Sequence, residues 1–296
     1  IDGLKTSELA HDPFLPFAAA ATVTERAELA TGIAIAFARS PMTVATMAND
    51  LQRSSGGRFV LGLGSQVKGH NERRFSVPWS PPAPRMKEYV EALRAIWRCW
   101  EKGDKLNFQG DHYRFDLMTP VFSPKPAGMP MIPVTLAAVG AAMIRLAARV
   151  ADGVRLHSFC TRKYMTETLL PELKNGWAES GMKRQNFEIV GGGYVVTGPD
   201  DETVSKQFEW VRERLAFYGS TRTYLPVWEA HGEEELGLKL HDMSKKGQWK
   251  EMAKHLSDDH VRLFVAVGKH DEIVDAIKTR YDGVSDTVYV NQVPGI

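Results

Sequence analysis

Glu8 and His11 lie three residues apart, just past a short apolar run near the start of the chain, and His157 closes the run "GVRLH". An imidazole at such a place can take or give a proton near neutral pH, and a neighbouring carboxylate can tune that exchange. The plain alternative is structural, with His11 capping "HDPF" and His157 satisfied at a rim. Two other stretches put small residues where a ligand could approach backbone. "GGRFVLGLGSQ" (56–66) reads as a buried strand that breaks into Gly64, Ser65 and Gln66. "PVTLAAVGAAM" (133–143) passes through Ala137, Ala138, Val139, Gly140 and Ala141 straight into a helix. N–H groups at a helix N-terminus attract an anion, and small side chains let it come close, although tight strand–helix packing selects the same residues. Gly32, inside the apolar run "LATGIAIAFARSP", marks a bend, a bulge or a close approach.

Such groups need a scaffold, and the chain supplies short apolar strands alternating with amphipathic helices. Strand-like runs fall near 3–7, 29–37, 58–63, 132–137, 153–157, 187–197, 262–267 and 286–290. Helical spacing is clearest over Arg85 to Lys102, where Met86, Tyr89, Val90, Leu93, Ile96, Trp97 and Trp100 share one face. "SPMTVATMANDLQRSSGG" is a second helix with Ser40 at its N-cap, a third begins at Gly140, and "KHDEIVDAIKTRY" is a fourth. Alternation of this kind predicts a parallel sheet covered by helices. No linker divides the 296 residues, so one α/β domain over 1–296 is expected, a (β/α)8 TIM barrel with its site at the C-terminal strand ends. An open doubly wound sheet is the other form, but it would carry a GxGxxG turn near its start, and none is present. Residues 105–128 read as a hairpin and Pro-rich loop, and 220–257 as a helical insert; each decorates the rim or covers the substrate.

Composition narrows the function. A net charge of +1 offers no basic excess for nucleic acid or a membrane surface. Cys99 and Cys160 are far apart and fit a reducing, cytoplasmic setting, and the nine histidines form no HxH or HExxH pattern, so no metal site is expected. The uncharged run Pro126 to Ile144 is long enough to span a membrane, but its prolines break it in the first half.

"GRFVLGLGSQ", "ATGIAIAFARSP" upstream of it, "VTLAAVGAAMIRLAARVADGVRLH" downstream and the opening "SELAHDPFLPFAAAATVTERAELATG" together resemble the bacterial-luciferase-like superfamily. Within it the chain is most similar to the branch dependent on the deazaflavin coenzyme F420 and related to methylenetetrahydromethanopterin reductase. The resemblance implies a flavin or deazaflavin across the barrel mouth. Gly64, Ser65 and Gln66 would lie near its ring and ribityl chain, and the backbone of Ala138, Val139, Gly140 and Ala141 would hold its phosphate. Gly32–Ile33 would form a non-proline cis peptide behind the ring, and His70 would reach the cofactor's tail. Luciferase-like enzymes also carry an acidic–histidine cluster at the first visible strand end, which points to Glu8 and His11 as catalytic groups beside His157. The family's first strand and first helix have no counterpart before Ile1, so either a truncated or incomplete chain or a barrel missing a stave is expected here.

The resemblance thus implies a hydride transfer between F420 and an organic substrate. Two alternatives stand beside it: an FMN-dependent monooxygenase using reduced flavin and O₂, and a non-catalytic flavin-binding relative. Arg39, Lys68, Arg73 and Arg74 cluster after two adjacent strands and would suit the polyglutamate tail of F420 better than FMN. A homodimer is expected, pairing through Met42, Val44, Met47 and Leu51.

Overall fold

The seven apolar positions spaced along 86–100 are all buried on one face of a helix, Pro82–Lys102, which Gly103 ends in the left-handed conformation at φ 74°. The computed structural model describes residues 2–290. It divides into two compact units, Ile1–Ala137 with Leu146–Gly153, and Ala138–Arg145 with Val154–Ile296.

The first unit runs β1 (Gly3–Thr6), α1 (Leu15–Val23), β2 (Glu28–Thr31), β3 (Ala34–Ile35), α2 (Pro41–Ser54), β4 (Phe59–Gly64), α3 (Lys68–Arg74), α4 (Pro82–Lys102), β5 (Phe108–Gln109), β6 (Arg114–Phe115) and β7 (Val134–Ala138), followed by α5 (Ala141–Val150). Its strands β1, β2, β4 and β7 are successive parallel neighbours, with Thr6 opposite Thr31, Leu29 opposite Phe59 and Leu61 opposite Val134. The run expected as one strand over 29–37 is two strands. At the break the buried Thr31 hydroxyl donates to the Gly62 carbonyl and accepts from the Gly62 N–H, both at 2.8 Å. A side chain thereby replaces ladder bonds, and β3 resumes beside the far end of β4, with Ile35 opposite Gly64.

The insert over 105–128 contains the expected hairpin, β5 antiparallel to β6. It is pinned to α4, because Glu88 accepts from the N–H groups of Asp111 and His112 at 3.1 and 2.8 Å and Arg85 donates to the Tyr113 hydroxyl at 2.9 Å. The face expected to pair two copies is partly spent: Val44 and Leu51 are buried in this unit, and Met42 and Met47 are half-buried.

The second unit adds β8 (Gly153–Leu156), α6 (Arg162–Tyr164), α7 (Leu170–Ser180), β9 (Glu188–Gly191), β10 (Tyr194–Gly198), α8 (Asp201–Gly219), α9 (Leu225–Glu229), α10 (Glu234–Lys245), α11 (Trp249–Met252), α12 (Asp258–Arg262), β11 (Val265–Lys269) and α13 (Ile273–Tyr281). A π-helical turn, Met165–Leu169, joins α6 to α7. The strand expected over 187–197 is likewise two. Gly191, Gly192 and Gly193 take φ values of 80°, 102° and 140°, which end β9 and start β10 in a new direction. β10 pairs in parallel with β11 from Tyr194–Val265 to Gly198–Lys269. The run expected as a strand over 286–290 makes only a bridge from Thr287 to Val190.

The 220–257 insert is helical and anchors on the core. Trp228, fully buried, packs on Phe159 and Phe264 at centroid distances of 5.3 and 5.5 Å, and its indole N–H donates to the Gly219 carbonyl at 3.2 Å. Cys160 lies beside this cluster, and burial pushes its thiol up to about 12 against the pull of the Arg280 charge. Since the thiolate is the reactive form, a thiol reagent at mildly alkaline pH should titrate no more than Cys99, which is half-buried, until the protein unfolds. Two fast-reacting thiols in the native protein would contradict this packing. Among the described residues, no helix is long and apolar enough to cross a membrane.

Candidate functional site

In the first unit the candidate residues collect where β2, β3 and β4 end. The Gly32–Ile33 peptide is cis. Residues just past β1 hold it: Ser7 Oγ donates to the Gly32 carbonyl at 2.9 Å and the Glu8 N–H to the Ile33 carbonyl at 3.2 Å. The Glu8 side chain, 7% exposed, accepts from the Ile35 N–H at 2.7 Å and from Arg39 Nη1 at 2.8 and 3.0 Å. Arg39 also reaches Asp12 at 3.1 Å. Burial would lower the Arg39 pKa, but the hydrogen bonds and charges of Glu8 and Asp12 outweigh it and hold the guanidinium above its ordinary value. With both carboxylate oxygens engaged, Glu8 secures the backbone after the cis bond, and Arg39 is no free cation awaiting an anionic tail. Glu8→Ala should cost about 2 kcal/mol in chemical denaturation, since it strands the Ile35 N–H and half of a shielded ion pair. A loss below half a kcal/mol would show that the network carries no weight.

At Gly64 packing alone is a sufficient reason for glycine, whether or not a ligand also comes near. A Cβ there would lie 2.7 Å from Ile33 Cδ1, so it is the Ile33 side chain that requires the glycine. Past it the chain turns through Gln66, whose φ of 58° is unusual for a residue with a Cβ. Asn71, 1% exposed and unforeseen in the sequence, fastens this turn by donating to the carbonyls of Ser65 at 2.9 Å and Val67 at 3.3 Å. His70, Lys68, Arg73 and Arg74, expected after the strand ends, belong to α3, where "KGHNERR" winds into helix without an apolar stripe to announce it. Lys68 pairs with Glu72, and Arg74 donates to the Leu9 carbonyl at 2.9 Å. His11 is exposed.

In the second unit the stretch 138–145 opens α5. The N–H groups of Met143 and Ile144 both donate to the Gly140 carbonyl at 3.1 Å, which makes Gly140 the N-cap. Ala141 and Ala142, exposed in the first turn, precede any helical acceptor for their N–H groups. A Cβ on Gly140 would meet no heavy atom within 4 Å, and Ala141 and Ala142 beside it are exposed. Packing does not require glycine there, and the donor set fits the phosphate of a flavin or deazaflavin. Tyr164, whose phenol burial pushes up to about 12, stays protonated and donates to the Val139 carbonyl at 3.2 Å, holding the turn before the helix.

His157, half-buried, stands at the end of β8 against Tyr218 and Tyr224, with ring centroids 4.5 and 4.8 Å away. Its Nδ1 accepts from the Phe159 N–H at 2.9 Å, so the proton of the neutral ring sits on Nε2. Burial, and then Tyr218, push the Tyr224 phenol up to about 12. Neither tyrosine was singled out by the sequence: they lie 61 and 67 positions beyond His157 and follow no local pattern. Among the described residues, no group of three or more His, Cys, Asp or Glu could hold a metal ion.

Comparison with known proteins gives a consistent result. The family model described as luciferase-like monooxygenase matches residues 2–287. An uncharacterized protein of Mycobacterium tuberculosis is 46% identical over 287 residues, covering 97% of this chain and 84% of that protein. The 5,10-methylenetetrahydromethanopterin reductase of Archaeoglobus fulgidus is 28% identical over 261 residues, 86% of this chain and 73% of its own length. Among solved structures, the coenzyme F420 dependent tetrahydromethanopterin reductase from Methanopyrus kandleri superposes with a TM-score of 0.76 at 19% identity, covering 96% of this chain and 83% of that one. The likeness shows the fold class, the α/β barrel expected from the alternation of strands and helices.

Proposed function

We propose that this chain, which belongs to the luciferase-like monooxygenase family, is an F420-dependent oxidoreductase that moves a hydride between the deazaflavin and a small organic substrate. The observation that carries the choice of cofactor is the match, over most of the chain, to F420-dependent enzymes and the methylenetetrahydromethanopterin reductase. The open, donor-bearing first turn of α5 supports it from the side of geometry.

In this reading the N–H groups of Ala141 and Ala142 hold the cofactor's phosphate, and Ala138, Val139 and Gly140 keep bulk away from it. The bound deazaflavin supplies a ring carbon that accepts or donates the hydride, so the protein's tasks are binding, orientation and proton management. His157, with its proton on Nε2, is the proposed proton donor, and Tyr218 and Tyr224 set the plane of its ring. Gly32, Ile33, Gly64, Ser65, Gln66 and His70 are proposed cofactor contacts of the first unit. Glu8 is assigned there as a positioning residue that fixes the backbone at Ile35, and His11 as a second, solvent-facing candidate for proton exchange.

The family description names monooxygenases, and a monooxygenase of similar fold was solved in complex with FMN, which makes FMN the competing cofactor. Titration of the protein with F420 and with FMN, followed by tryptophan fluorescence, separates the two. Saturable quenching by F420 and a weaker response to FMN is expected. Tight quenching by FMN alone would overturn the reading, and silence toward both would favour a relative that binds no flavin.

A further inference from the structure

At the opposite end of the first unit's strands, the C-terminal turns of α2 and α4 and the segment leading into β7 enclose a cavity of about 200 Å³. It lies at the start of β4, whereas Gly64 and Ser65 lie at its end, roughly 20 Å away along a six-residue strand. Trp97, Met129 and Met131 give it apolar walls suited to a flat ring.

Its polar groups are unbalanced. The acceptors are spent: the Glu101 carboxylate takes the N–H groups of Ala127 and Gly128 at 2.9 to 3.1 Å, and Gln52 Oε1 takes that of Phe59 at 3.0 Å. The donors are not. Asn49 Nδ2 and Trp100 Nε1, on residues 7% and 4% exposed, are buried without a partner, and so is Arg53 Nε. All three residues line the cavity. Buried donors are nearly always satisfied, so three unpaired ones on residues that line one space call for an acceptor that enters it. Arg53 Nη2 is engaged, donating to the Lys125 carbonyl and lying 4.0 Å from the Glu101 carboxylate, and Lys102 adds a second positive charge to the lining, which favours an anion.

We propose that this cavity is a binding site, separate from the cofactor residues, for a small aromatic carboxylate, its ring against Trp97 and the methionines and its oxygens on Asn49, Trp100 and Arg53. Engineered apolar cavities of about 150 Å³ admit benzene, so a single ring with a carboxylate fits the volume.

The test uses benzoate and toluene as probes, with affinity read by calorimetry on the wild type, Asn49→Leu and Trp100→Phe, each checked for folding by circular dichroism. Benzoate should bind the wild type saturably and at least tenfold more tightly than toluene. Each variant should weaken benzoate about tenfold and change toluene less than twofold, and either variant suffices if the other fails to fold. Benzoate affinity unchanged by the folded variants would overturn the proposal. So would toluene binding as tightly as benzoate, which would mark a merely apolar void, or no benzoate binding at millimolar concentration, which would leave water as the partner of the three donors.

Discussion

Replacing Arg280 by alanine should cost the protein about 4 kcal/mol of folding stability, read from urea unfolding, a large share of the roughly 5–15 kcal/mol that holds an ordinary domain folded. The guanidinium is only 8% exposed and donates to the carbonyls of Leu263 at 2.8 Å, Cys160 at 2.7 Å and Gly192 at 2.9 Å. It therefore ties together the start of β11, the segment after β8 and the glycine turn between β9 and β10. Its removal strands three carbonyls, each worth about 1 kcal/mol or more, and leaves a void that the surroundings fill only in part. Lysine should restore less than half, because one ammonium cannot reproduce the fork. Gly193→Ala should hurt by the same route, since a Cβ at that φ of 140° would lie 2.4 Å from Arg280 Nη2 and 2.7 Å from the Phe264 carbonyl. The two losses should fall well short of adding in the double variant, because both break one contact. A stable Arg280→Ala protein would mean that those carbonyls find other partners.

Gly140→Asp should move stability and cofactor binding in opposite directions. Aspartate is a favoured N-cap and its charge suits a helix N-terminus, so α5 should gain on the order of 0.5–1 kcal/mol. No heavy atom stands within 4 Å of the new Cβ to oppose it. The same carboxylate faces the site proposed for phosphate, and like charges about 4 Å apart repel by roughly 1–4 kcal/mol between bulk water and a protein surface. A loss of about 2 kcal/mol, or thirtyfold in F420 affinity, is expected. Unchanged affinity in the folded variant would remove α5 from the cofactor site, and the melting temperature, measured alongside, shows that any lost affinity belongs to a folded protein.

The contrast between α4 and α3 shows what the sequence could reveal. α4 was legible because its seven buried positions repeat at helical spacing, whereas α3 is a seven-residue helix with Asn71 as its buried residue, and periodicity has nothing to register. The strand breaks at Gly32 and at Gly191–Gly193 sit inside apolar runs, where β-propensity reads straight through. At the first, the lone Gly32 marked an irregularity and the family's cis peptide said which kind; the second depends on three successive positive φ values that no local preference announces. The site was legible where it is built from contiguous backbone, as at 138–141. It was not where side chains converge from distant segments, as Arg39 does on Glu8 and Asp12, or Tyr218 and Tyr224 on His157. A basic side chain in sequence carries no mark of whether a carboxylate 31 residues away has already claimed it.

If F420 is the cofactor and is seated by its phosphate on α5, a structure determined after soaking the protein with F420 and FMN together should show it there. Density for the deazaflavin is expected, with a phosphate oxygen in hydrogen-bond reach of the Ala141 and Ala142 N–H groups. FMN in that position, or a cofactor whose phosphate is held elsewhere, would contradict it.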